Sequence, residues 1–202
     1  GWGYVSTTNK LYTFRGGTTN TFYEYDVATD TWTTKANAPA TVATGGALSG
    51  GPSGYLYALR GGSTNTFWRY DIGANTWDDA AAADAPQVIG TGSSLFYDGS
   101  RYIYALAGNN DDAFYQYDTT TDSWTALANT NFGAPTLQPT NVISAGGDMA
   151  YDGNDTIYII QGSVTGSGYY NTGFATYTIS TGTWTQLANL PATPTADGAQ
   201  IE

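Results

Sequence analysis

One aromatic spacing recurs four times along the 202 residues, and it constrains the fold more than any other feature of the chain. Trp32, Trp77, Trp124 and Trp184 each follow a tyrosine by seven residues: Tyr25, Tyr70, Tyr117 and Tyr177. Each tyrosine in turn follows a phenylalanine by three, namely Phe22, Phe67, Phe114 and Phe174. Upstream of every copy an apolar run closes on glycine, from Leu11 to Gly16-Gly17, Leu56 to Gly61-Gly62, Ile103 to Gly108 and Ile157 to Gly162. Inside a copy the pattern has period two, so that Trp68, Tyr70 and Ile72 share one side and Phe67, Arg69 and Asp71 the other. That alternation marks strands.

Four strands fit each copy. In the second copy they are a Gly-rich strand at Thr44–Ser49, then Tyr55–Leu59, Phe67–Ile72 and a short Thr76–Asp78. Turns such as Asp98-Gly99 and Asp152-Gly153 join them, where the short polar side chain and the glycine favour tight reversal. A single sheet of this length cannot bury both faces, whereas radial stacking of successive sheets can. The expected fold is therefore all-β, a β-propeller of four-stranded antiparallel blades with the Gly-rich strand innermost. Blades are expected at about 1–39, 40–86, 87–139 and 140–194, with 195–202 starting a further inner strand.

The segments LYTFRGG, YEYDVATDTW, LYALRGG, WRYDIGANTW, YIYALAG and YQYDTTTDSW resemble the kelch repeat, a di-glycine after an apolar strand followed by Tyr-Asp and a tryptophan seven residues after that tyrosine. The resemblance extends over essentially the whole chain. It implies one blade per repeat. Copy three departs from the pattern with Gly108-Asn109, and copy four with Gly162-Ser163 and Tyr177-Thr178. The arginine that many kelch repeats carry after the proline entering the inner strand is absent, Ala40 and Gln87 following Pro39 and Pro86.

Four repeats are fewer than the six or seven blades usual in kelch propellers. Asp197–Glu202 has the glycine-then-apolar register of an inner strand, aligning Ile201 with Leu48, Leu95 and Met149, yet Trp2–Ser6 already offers the inner strand of the first blade. The chain also starts at Gly1 without Met. Two expectations follow: a portion of a longer propeller, or self-association of the terminal strand with another subunit, since an unpaired strand edge templates pairing.

Composition removes several function classes. The chain has no Cys and no His, so thiolate nucleophiles, Ser-His-Asp triads and His-ligated metal centres cannot be built. A copper radical oxidase, known on related propellers, falls with them. Lys and Arg number 6 against 17 Asp and Glu, a net charge of −11, which argues against nucleic acid as a partner. No apolar run reaches the roughly 20 residues that span a bilayer, so membrane insertion is not expected.

Function should lie where the repeat is broken. Copy four carries a six-residue insertion between its second and third strands, at Ser163–Asn171, and the connection before it, about Ala128–Asn141, is also extended. Antiparallel alternation places both at one end of the propeller. They present Asn131, Phe132, Asn141, Tyr169, Tyr170 and Asn171, amides and flat aromatics suited to a sugar or a polar protein surface. Arg15 and Arg60 end the second strands of blades one and two, where a pair of guanidinium groups could clamp a carboxylate. Asn109–Asp112 and Asp152–Asp155 could supply oxygens to calcium but lack EF-hand spacing. No other cofactor is expected. Asn154-Asp155-Thr156 is an N-glycosylation sequon. These features suggest a non-catalytic extracellular or cell-surface module that binds a protein or glycan, or assembles. The alternatives are a lectin-like propeller and a kelch-type sugar-acid mutarotase using Arg15, Arg60 and Glu24.

Overall fold

The computed structural model describes residues 1–133, 141–162 and 172–191. Sixteen strands form four separate four-stranded antiparallel sheets, each in sequence order. Blade one holds β1 (Trp2–Val5), β2 (Lys10–Phe14), β3 (Phe22–Asp26) and β4 (Thr31–Thr34). Blade two holds β5 (Ala47–Gly50), β6 (Tyr55–Leu59), β7 (Phe67–Asp71) and β8 (Thr76–Asp78). In blade three these are β9 (Ser94–Tyr97), β10 (Tyr102–Leu106), β11 (Phe114–Asp118) and β12 (Ser123–Ala126). Blade four has β13 (Asp148–Tyr151), β14 (Thr156–Ile160), β15 (Phe174–Thr178) and β16 (Thr183–Gln186). The only helical turn among the described residues is a three-residue 3-10 segment, Pro52–Gly54, and no helix there is long and apolar enough to cross a membrane.

The expected strands form, the third of blade two ending at Asp71 rather than Ile72 and the first shifted further. β5 begins at Ala47 rather than Thr44, because Gly45 takes φ +80° and the Gly46 N–H donates to the Ala43 carbonyl, so a tight turn precedes the strand. The first strands of successive blades pack side by side, β1 on β5, β5 on β9 and β9 on β13, which puts them innermost.

Each sheet has a leading side, facing the blade before it, and a trailing side. Register assigns the residues. On the trailing side of blade one lie Tyr12, Phe22 and Glu24, and on the leading side Trp2, Tyr23, Tyr25 and Trp32. Between blades the same aromatic joint is repeated. Phe22 meets the next blade's Tyr70 edge-on at 5.0 Å and Trp77 at 4.9 Å. Phe67 meets Tyr117 at 5.0 Å and Trp124 at 4.9 Å, and Phe114 meets Tyr177 at 5.1 Å and Trp184 at 5.4 Å. Edge-to-face geometry is favoured because the positive ring edge approaches the negative ring face. Each of these indoles also donates its N–H across the joint, Trp77 to Ala36, Trp124 to Ala83 and Trp184 to Ala128.

Burial follows these joints. One apolar cluster fills the space between blades one and two around Tyr12, Phe22, Trp68 and Tyr70. A second joins blades two and three around Tyr57, Phe67 and Tyr117, and a third joins three and four around Phe114, Ile157 and Tyr177. Four blades thus share three interfaces among the described residues. The leading side of blade one and the trailing side of blade four lie at the two ends of the series.

Candidate functional site

The residues singled out in the loops are split by the structure. Tyr169, Tyr170, Asn171 and the terminal segment Asp197–Glu202 lie outside the described residues. Phe132 was expected as a presented aromatic, but it is 2% exposed and packs in the core between blades three and four. Its backbone N–H donates to Asn141 Oδ1 at 3.2 Å, and Asn131 Oδ1 accepts the N–H of Gly133 at 2.9 Å. A Cβ at Gly173, just before β15, would touch the Phe132 ring, so the extended connection and the start of β15 meet at one end of the blade. Here Phe132 closes the core while Asn131 and Asn141 fold the backbone over it. An apolar ring inside an insertion looks the same in sequence whether it plugs a gap or faces solvent.

Arg15 and Arg60 are engaged differently. Arg60 donates from Nε to the Thr41 carbonyl at 3.1 Å, holding the connection that enters blade two. Arg15 is exposed and makes its own backbone hydrogen bond to Thr21 at 3.0 Å, leaving the side chain beside blade one.

Glu24 is buried on the trailing side of blade one. Its carboxylate takes Lys10 Nζ at 2.6 Å, the Tyr12 hydroxyl at 2.8 Å and Lys35 Nζ at 3.4 Å. Burial pushes its pKa up, but the hydrogen bonds from Lys10 and Tyr12 and the two lysine charges outweigh that and hold it below the ordinary carboxylate value. Both carboxylate oxygens are thus engaged by side chains of the same blade.

The acidic clusters are also engaged. Asp152 Oδ1 accepts the N–H groups of Asn154, Asp155 and Thr156, and Asp155 takes both the N–H and the hydroxyl of Ser180. Asp111 caps Ala113 and Asp112 accepts from Asn129 Nδ2. The Asp152 and Asp111 contacts are Asx-type turns, and the Asp155 and Asp112 contacts tie neighbouring connections together. Among the described residues no group of three or more acidic side chains is arranged to hold a metal ion.

What sequence reasoning missed is the leading side of blade one. Trp2, Thr13, Phe14, Arg15, Tyr23 and Trp32 line a cleft of about 460 Å³ there. Trp2 lies 6.1 Å from Trp32, and Tyr23 meets Trp32 edge-on at 6.3 Å. Trp2 occupies the register position of Leu48, Leu95 and Met149, yet it is 54% exposed where those are 3%, 7% and 5%. Trp32 is 53% exposed, whereas Trp77, Trp124 and Trp184 at the same repeat position are half-buried against the clusters between blades. The available signal was position: the first blade has no preceding blade among these residues to cover it.

A scan against protein-family models finds no match, and a comparison with curated proteins finds none either. Solved structures do match. The β-propeller-type protein titled "Structure of YjhT" is similar over 95% of this chain, with a TM-score of 0.68 at 17% identity. The match spans 66% of that chain's length. At such identity the likeness shows the propeller fold alone.

Proposed function

We propose that this chain is a kelch-like propeller segment that works outside the cell or at its surface as a non-catalytic binding or assembly module. One observation carries the reading: the exposed aromatic cleft on the leading side of blade one, which gathers two tryptophans, a tyrosine and Arg15 on a rigid sheet. Exposed aromatic surface of this kind marks interaction sites, and Trp, Tyr and Arg are the residue types that dominate binding energy. The groups that catalysis would draw on are engaged elsewhere. Glu24 is held in ion pairs with Lys10 and Lys35 on the opposite side of the same sheet, and Arg60 braces a backbone carbonyl. A mutarotase built on Arg15, Arg60 and Glu24 therefore has little support from their placement. No cofactor is required.

A second reading draws on the same cleft. Indole faces stack on sugar rings and a guanidinium pairs with a carboxylate, so an acidic glycan suits Trp2, Trp32 and Arg15. Tryptophan fluorescence titrated with neutral and acidic oligosaccharides, beside light scattering of the unliganded chain, tests both. A saturable spectral change lost in Arg15→Ala and Trp32→Ala supports the glycan. Self-association lost in Trp32→Ala supports assembly. If neither appears, the cleft is not a binding surface and the reading fails.

A further inference from the structure

We infer that the leading side of blade one docks the trailing side of blade four from a second copy of this chain, head to tail. This rests on the reading of that cleft as a binding surface and names its occupant. The three interfaces inside the chain define the joint, and both halves of a fourth are already formed.

The trailing half is a stacked pair. Tyr12 lies on Phe22 at 5.9 Å and 21°, Tyr57 on Phe67 at 5.6 Å and 24°, and Tyr104 on Phe114 at 5.9 Å and 25°. Blade four repeats it, Tyr158 on Phe174 at 6.0 Å and 24°. Tyr158 is exposed, however, whereas Tyr12, Tyr57 and Tyr104 are buried by the next blade.

The leading half is a tilted pair. Tyr70 and Trp77 lie 4.9 Å apart at 44°, Tyr117 and Trp124 5.0 Å at 50°, and Tyr177 and Trp184 5.0 Å at 53°. Blade one has the same pair, Tyr25 and Trp32 at 5.0 Å and 43°. Preorganised rings lose little freedom on docking.

Polar contacts extend the match. At the joint between blades one and two, Asn75 Oδ1 accepts both the Tyr70 hydroxyl and the Ala36 N–H, while the Trp77 indole donates to the Ala36 carbonyl. Asp122 does the same between blades two and three for Tyr117 and Ala83, with Trp124 donating to Ala83. In blade one Asp30 Oδ1 already accepts the Tyr25 hydroxyl at 2.7 Å. Among the described residues, no Ala N–H reaches Asp30 and no carbonyl accepts from the Trp32 indole. Ala188, four residues past Trp184 as Ala36 is past Trp32, supplies both groups from the second copy.

A heterologous contact of this kind gives a closed ring of copies if its rotation closes, and an open filament if not. Sedimentation of the full chain over a range of concentrations should show association. Trp32→Ala and Phe174→Ala should each weaken it by about tenfold or more, with far-UV circular dichroism unchanged. Mixing the two variants restores one intact joint, so the mixture should form dimers that neither variant forms alone. Asp30→Ala should weaken association without removing any ring. A chain that stays monomeric at every concentration overturns the inference, as does association that Phe174→Ala leaves intact. If the monomer instead shows Trp32-dependent glycan binding, the inference falls and the cleft remains a binding surface.

Discussion

Trp32 and Trp77 occupy one repeat position and differ only in what lies next to them. Trp77 packs on Phe14 and Phe22 of the blade before it, so Trp77→Ala should cost about 3 kcal/mol in urea unfolding, typical of deleting a large aromatic from a packed interface. Trp32→Ala in the monomer should cost less than about 1 kcal/mol, and Thr120→Ala, in an exposed turn, less than about 0.5 kcal/mol. The Glu24 carboxyl, held below its ordinary value near 4.5, binds its proton more weakly folded than unfolded. Its contribution is therefore fully present above the unfolded pKa and lost as pH falls through the lower folded one. Urea midpoints taken from neutral pH to about pH 2.5 should fall in that window, and Glu24→Gln, less stable at neutral pH, should show a shallower fall. The recurring Phe, Tyr and Trp at the three joints were legible as structural from their spacing, but the same spacing hid the exposure of Trp32. Phe132 and Glu24 were not, because the partners that decide their roles, Ile143 and Gly173 for one and Lys35 for the other, are brought in by neighbouring connections rather than by the repeat.

At the scale of elements, the inner strands approach most closely where glycine precedes them. Gly45 and Gly92 take φ of +80° and +84°, and a Cβ on either would collide with the carbonyl group of the next blade, at Gly90 and Ser144 respectively. Gly92→Ala should accordingly cost more than the roughly 1–2 kcal/mol of the left-handed conformation alone, whereas Gly99→Ala, also at positive φ but with open space around it, should cost only that. Paired thermal melts measure the difference. Strands two and three of each blade were readable because their side chains alternate between two largely buried or half-buried sides, and the mostly exposed fourth strand from its recurring tryptophan. Where an inner strand starts was less so, since its first residues are small and the turn before it depends on backbone contacts across blades.

Among the described residues, four blades are joined by three copies of one interface. The number of blades and their order could be counted from the repeat. Which sheet sides are covered could not, because the angle at which blades meet, and what fills the space between the first and the last, is written in no single repeat. The exposed Trp2 and Trp32 and the half-formed joint on blade four record that missing information in side-chain burial. Hydroxyl-radical footprinting with mass spectrometry, run on the full chain at low and high concentration, reads it directly. Head-to-tail docking predicts that Trp2 and Trp32 are oxidised quickly in dilute solution and become protected as concentration rises, together with Tyr158, while Trp77, Trp124 and Trp184 do not change. Equal oxidation of Trp2 and Trp32 at every concentration would contradict it.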